Sequence, residues 1–231
     1  MTFKAFRDGI QQGVYRIIDL PVRLLVKAGV TPNMITTLGL LGNLFAAWLI
    51  VRAAQSNLFS SAFGLPVSYT MLGWAGFAII AFSICDMVDG YMARTYHLES
   101  RFGAFYDSVL DRYCELATLC ALAFYFMMMG EPAFALFTFL ALIGSVMVSY
   151  VRARAEALDC ECKVGLMQRP ERVVVTSLGL LLSGLLQDVV APLFDPIWFI
   201  AVPMILIAVL ANGTAIARIL HVKGQLVESR E

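Results

Sequence analysis

Charge is scarce in this chain. Only 15% of its 231 residues are Asp, Glu, Lys or Arg, where a soluble domain carries about 25%. Hydrophobic residues make up 60% and the mean hydropathy is +0.78. That balance excludes an ordinary soluble globule and points to a protein embedded in a bilayer. Histidine is nearly missing: the two present, His97 and His221, fall in a polar loop and in the tail after the last apolar run. Neither is placed to favour zinc. The cysteines number five. That count is odd, and Cys85, Cys114 and Cys120 fall in apolar runs, so a disulfide framework is not expected. Cys160-x-Cys162 lacks the second pair that zinc spacing demands. The N-terminal stretch MTFKAFRDGIQQGVYRIIDL lacks the unbroken apolar core and small-residue cleavage site of a secretory leader. Internal repeats and low-complexity tracts are also missing, which leaves one compact domain of several spans.

What is present is a series of apolar runs, each near the ~20 residues that cross a bilayer as a helix. They cover residues 31–51, 69–95, 103–129, 133–157, 170–186 and 197–220. Thr31 is placed as an N-cap and Pro32 as a first helical residue. Residues 52–66 read as a loop, Gly130-Glu131-Pro132 as a break, and Pro192, Asp195 and Pro196 as a turn. Residues 2–18 carry Phe3, Phe6, Ile10, Val14 and Ile17 at helical spacing, with Lys4, Arg7 and Gln11 between them. That pattern suits a helix lying in the membrane interface. The expected fold is an all-α integral membrane protein with six transmembrane helices plus an N-terminal interfacial amphipathic helix. Residues 1–231 form one domain, with 1–30 the interfacial segment and 31–222 the six-helix core. Every Lys and Arg except Arg52 lies in the N-terminal segment, the loops after spans two and four, the adjoining span ends or the tail. The positive-inside rule then puts both termini and the 96–102 and 159–169 loops in the cytoplasm, in a cell (inner) membrane.

Four aspartates nevertheless crowd into DMVDGYMARTYHLESRFGAFYDSVLD, residues 86–111. An isolated carboxylate in hydrocarbon is costly. Asp86 and Asp89 are spaced i, i+3, and Asp107 and Asp111 i, i+4, so each pair lies on one helix face. The short connection makes their helices antiparallel neighbours, and the four acids can converge just beneath the cytoplasmic surface. Hard divalent cations with oxygen ligands would cancel that charge, and four carboxylates can hold two. Gly90, Ala93, Gly103 and Ala104 fit either tight helix packing or close approach of a ligand. Arg94 is a topology signal or, beside such a metal site, a phosphate ligand. A second group, Arg152, Arg154, Arg172 and Arg218, lies on the same side; it is positive-inside decoration or a pocket for a substrate phosphate. A divalent-cation transporter would also bring acids into a membrane. Its sites tend to lie at the midplane on broken helices, whereas these acids lie near one surface.

The spacing Asp86-x2-Asp89-Gly90-x2-Ala93-Arg94-x8-Gly103-x3-Asp107-x3-Asp111 resembles, at every fixed position, the signature of the CDP-alcohol phosphotransferases. The resemblance extends to the six-span layout and to Thr31-Pro32-Asn33. It implies metal-dependent transfer of a phospho-alcohol from a CDP-activated lipid to an acceptor hydroxyl, with release of CMP, in phospholipid biosynthesis. It also implies Mg2+ or Mn2+, two ions, on Asp86, Asp89, Asp107 and Asp111. Asp111 would be the general base. Asp89, Gly90, Ala93, Arg94, Gly103 and Asp107 would bind the CDP moiety, and the protein would be a homodimer. The stretch SYVRARAE followed by QRPER is similar to the phosphatidylinositol-phosphate synthase branch. There the acceptor is inositol phosphate, held at the positions of Arg152, Arg172 and Arg218, with Arg154 beside them. This chain has Arg152 where that branch often has Lys, and Ala217 where it often has Gln. Glycerol 3-phosphate is the alternative acceptor.

Overall fold

Prolines open several of the helices. Pro32 begins one, Pro132 another, and Pro170 stands in the first turn of a third. There the missing N–H is one that a helix start leaves unbonded anyway. The computed structural model describes residues 19–228; the amphipathic helix expected at 2–18 lies outside them. The elements are α1 (helical at 19–27), α2 (Pro32–Ala62), α3 (Thr70–Thr95), α4 (Arg101–Met128), α5 (Pro132–Glu156), α6 (Arg169–Leu185), the short α7 (Gln187–Val190) and α8 (Trp198–Glu228). No strand occurs among the described residues.

Four helices, α2, α3, α5 and α8, are long and apolar enough to cross a membrane. The other two expected spans fall short for different reasons. α4 carries Arg101, Asp107, Asp111, Arg112 and Glu115 between its start and residue 115. α6 has 17 residues, about 25 Å at 1.5 Å per residue, against a hydrocarbon core of ~30 Å.

The loop expected at 52–66 is corrected: α2 continues to Ala62. Nothing between Asn43 and Ala62 breaks a helix, and Arg52 bonds Gln55 along the same helix (3.0 Å). The chain turns instead at residues 63–69. There the buried Asn57 amide donates to the Ser68 carbonyl (2.9 Å) and accepts from the Ser68 N–H (3.1 Å). The last helix likewise outruns its expected end at 220 and takes in His221, which pairs with Gln225 at 2.8 Å.

The described residues divide into two compact units. One comprises 19–42 and Ala81–Tyr113; the other comprises Asn43–Ile80 and 114–228. In the first, Val22, Ile35 and Met92 form a core joined by Val26, Val30, Cys85, Val88 and Tyr96. Tyr91 donates to Asp19 (2.9 Å), which also pairs with Arg23 (2.9 Å), so α1 is tied to α3. Ser100 caps α4 by accepting from the Gly103 N–H at 2.9 Å.

In the second unit α5 and α8 pack closely, and Asn212 donates to the Leu140 carbonyl at 2.9 Å. α3 and α6 cross where Gly73 meets Gly184: a Cβ on Gly184 would lie 2.6 Å from the Gly73 Cα. Only glycine allows backbones that close, the usual basis of tight packing between membrane helices. Residues 159–168 lie back along α8. Arg218 donates to the Val164 carbonyl (2.8 Å), Gln225 to the Glu161 carbonyl (2.8 Å), and the Met167 N–H reaches Thr214 (3.4 Å). Cys160 and Cys162, within this strap, are buried against Ala155 and Val222. All five cysteines are free thiols.

Candidate active site

The i, i+3 spacing on α3 and the short turn to α4 bring carboxylates together in the first unit. One oxygen from each of Asp86, Asp89 and Asp107 lies within 4.8 Å of the others. Asp89 is buried, Asp107 half-buried and Asp86 exposed. Asp111, one turn further along α4 and half-buried, is not part of this close group among the described residues. Asp89 feels the charges of both Asp107 and Asp86. Carboxylates this close repel unless a cation lies between them. An all-oxygen donor set with no thiolate or imidazole suits a hard ion such as Mg2+ or Mn2+ rather than zinc. The residues present therefore fit a divalent cation.

Sequence reasoning overlooked two supports of this group. The Thr36 hydroxyl donates to Asp89 Oδ2 at 2.6 Å inside the unit, and Thr37 shares a hydrogen bond with Tyr106 at 3.1 Å. Both threonines follow Thr31-Pro32-Asn33 by one turn. Their partners lie more than fifty residues away, so local pattern gave no sign of them.

A cavity of about 220 Å³ adjoins the acids. Asp89, Gly90, Ala93, Arg94, Gly103 and Asp107, the six residues expected at the nucleotide, all line it, together with Pro32, Asn33, Leu98, Glu99, Ser100 and Ala104. It is smaller than the ~300–1,000 Å³ of typical ligand pockets, so it can enclose part of a nucleotide and leave the rest outside. Arg94 lies back over Gly90, where a Cβ would come within 3.2 Å of its guanidinium. Glycine there leaves the arginine room along its own helix, at the wall of the cavity.

The four expected acceptor arginines lie in the second unit. Arg172 is 2% exposed. Its Nε and Nη2 donate to the two Glu115 oxygens at 2.5 and 2.9 Å, and its Nη1 donates to the Met167 carbonyl at 2.9 Å. Arg218 is equally buried, but its hydrogen bonds run to neutral partners, the Val164 carbonyl (2.8 Å) and the Val148 carbonyl (2.6 Å). Arg152 is exposed and pairs with Glu156 at 2.8 Å. Arg152 and Arg172 both lie within electrostatic range of Arg218, so these three share a neighbourhood. Arg154 is exposed on the last turn of α5. Glu115 was overlooked although a signal existed: it is the next acid in the i+4 series after Asp107 and Asp111.

The first unit thus offers an acid cluster beside a small cavity that also holds Arg94, a combination suited to a metal-bound diphosphate. The second offers a buried guanidinium, Arg218, on neutral partners and suited to an anion. Comparison with known proteins gives the same direction. The family model for CDP-alcohol phosphatidyltransferase matches residues 29–222. A phosphatidylinositol phosphate synthase of Mycobacteroides abscessus is 32% identical over 179 residues, 77% of this chain and 74% of that protein. The crystal structure of Mycobacterium tuberculosis phosphatidylinositol phosphate synthase (PgsA1) with CDP-DAG bound superposes with a TM-score of 0.74 at 28% identity, covering 90% of this chain and 94% of that one. The same synthase in complex with manganese and citrate gives a TM-score of 0.72 at 28% identity, covering 87% and 86%.

Proposed function

This chain belongs to the CDP-alcohol phosphatidyltransferase family, and we propose that it transfers a phosphatidyl group from a CDP-activated lipid to inositol phosphate, releasing CMP. The observation that carries the phosphorylated acceptor is Arg218. A guanidinium withdrawn from solvent onto two backbone carbonyls keeps its charge uncancelled by those bonds. A buried cation is costly unless paired, and an acceptor phosphate supplies the pair. Arg172 and Arg152 add to the same field, and Arg154 stands two residues beyond Arg152 on α5. The related synthases and the CDP-DAG-bound neighbour support the donor and the acceptor.

Asp86, Asp89, Asp107 and Asp111 would hold two divalent ions, Mg2+ or Mn2+, in keeping with the manganese complex of the neighbour. Bound there, the ions supply charge neutralisation of the diphosphate and stabilisation of the leaving oxygen. The chain's own groups do the rest. Gly90, Ala93 and Gly103 leave space for the cytidine diphosphate, and Arg94 binds its phosphate oxygens. Asp111, outside the tight group of three, accepts the proton of the acceptor hydroxyl. The hydroxyl oxygen bonds to the phosphatidyl phosphorus as the bond to CMP breaks. The arginines bind the acceptor's phosphate.

On this reading α4 and α6 also cross the bilayer, giving six spans. The termini and the site face the cytoplasm of the cell membrane, and the protein works as a homodimer. The test is purified protein with CDP-diacylglycerol, magnesium and a panel of inositol 1-phosphate, glycerol 3-phosphate, inositol and serine, with CMP release as readout. Release with inositol 1-phosphate alone supports the reading. Release with glycerol 3-phosphate alone moves the acceptor, and release with neither phosphorylated alcohol overturns it.

A further inference from the structure

Glu115 has no part in the reaction just described, yet it is among the more deeply placed acids of the second unit. Its side chain is 10% exposed, and both its oxygens are taken by Arg172, the two ends of the pair being Nε at 2.5 Å and Nη2 at 2.9 Å. This is a fork-to-fork pair, the geometry that holds a guanidinium in one plane and one rotation. The Met167 carbonyl fixes a third N–H at 2.9 Å. A guanidinium has five N–H donors, so two remain for a ligand, and their direction is set by the clamp. Breaking such a pair inside the protein would leave a buried carboxylate uncompensated. The acceptor phosphate therefore does not displace Glu115; it meets the edge of Arg172 that Glu115 leaves open.

We propose that Glu115 is a positioning residue for the acceptor: it clamps Arg172 so that the two remaining N–H groups face the acceptor phosphate. This rests on the reading of Arg172 as an acceptor ligand given above. Arg218 marks the contrast. It is held through backbone carbonyls, so its aim depends on the strap at 159–168 and on α5, whereas the aim of Arg172 depends on one side chain. An acceptor pocket built this way is sensitive to a single charge on α4 that never touches substrate.

The test compares wild type with Glu115→Gln and Glu115→Asp in detergent-purified full-length protein. Gln keeps the shape and loses the charge. Asp keeps the charge and withdraws it by one methylene, so the fork no longer closes. KM is measured for inositol 1-phosphate and for CDP-diacylglycerol, with inorganic phosphate as a competing probe of the pocket. Both variants are expected to raise the acceptor KM about tenfold, the lower end of what losing an orienting partner costs in metal sites. The donor KM should stay within about twofold, and inhibition by phosphate should weaken in parallel. An acceptor KM within about twofold of wild type in either folded variant overturns the proposal. So does an equal rise in both KM values, or failure of both variants to fold, which would mark a purely structural pair. Arg172→Ala separates the two levels. If it leaves the acceptor KM unchanged, the phosphate pocket itself is wrong. If it raises that KM while the Glu115 variants do not, only the clamp is wrong.

Discussion

Replacing Thr36 by valine removes one hydroxyl and keeps the side-chain shape. That hydroxyl lies 2.6 Å from Asp89 Oδ2 and 3.1 Å from the Pro32 carbonyl. It has a single proton, and the shorter contact to the charged acceptor takes it. Hydrogen bonds to charged groups contribute roughly 1.5–3 kcal/mol. At about 1.4 kcal/mol per factor of ten, losing this one weakens whatever depends on the placement and charge of Asp89 by about 10–150-fold. The proposed dependent is a divalent ion, and partners that orient metal ligands are worth a similar 10–100-fold elsewhere. Thr36→Val is therefore expected to raise the magnesium concentration for half-maximal CMP release by at least about tenfold. The maximal rate at saturating magnesium should fall less, and Thr36→Ser should behave like wild type. The assay is a magnesium titration of CMP release at fixed CDP-diacylglycerol and inositol 1-phosphate. An unchanged magnesium midpoint in a folded Thr36→Val protein would refute the argument, because Asp89 would then need no help from α2.

Asp111→Asn should leave a folded, membrane-inserted protein whose transfer rate drops at least about 100-fold, the scale of a lost general base; wild-type-like CMP release would remove Asp111 from that role. Arg218→Met keeps the stem and deletes the charge, and should raise the acceptor KM well above any change in donor KM, measured with the same two substrates. Gly184→Leu forces a side chain into the crossing with Gly73, where even a Cβ would lie 2.6 Å from the facing Cα. It should cost about 1–3 kcal/mol or more, read as a lower melting temperature in detergent, whereas Gly213→Ala, with open space at its Cβ, should not.

The parts of the fold and site that were legible in the sequence are those written locally. Prolines at the starts of α2, α5 and α6, the glycine-proline break before α5, and the helical spacing of the acids can all be read within a turn or two. The proximity of Asp86, Asp89 and Asp107 follows from two such spacings and one short connection. The misreadings concern pairings over distance. α2 outran its expected end because the residue that organises the following turn, Asn57, reads as an ordinary polar loop residue until Ser68 folds back onto it. Thr36 and Glu115 were invisible as site residues for the same reason: their partners, Asp89 and Arg172, are 53 and 57 positions away. Arg172 and Arg218 could be named from sequence, but not the contrast between them, one cancelled by a carboxylate and the other resting on carbonyls.

The strap at 159–168 bears on how the protein can be handled. By composition it is a hydrophilic connection, the sort of place where an epitope tag or protease site is usually inserted to map which side of a membrane a loop faces. Here the carbonyls of Glu161 and Val164 and the N–H of Met167 are anchored to α8. A tag there would tear away the hydrogen bonds that aim Arg218 and report on a damaged molecule. Between α6 and α8, Gln187 and Asp195 are bonded to Tyr69, but residues 189–193 between them, with exposed Val189 and Leu193, are the safer place for such a reporter.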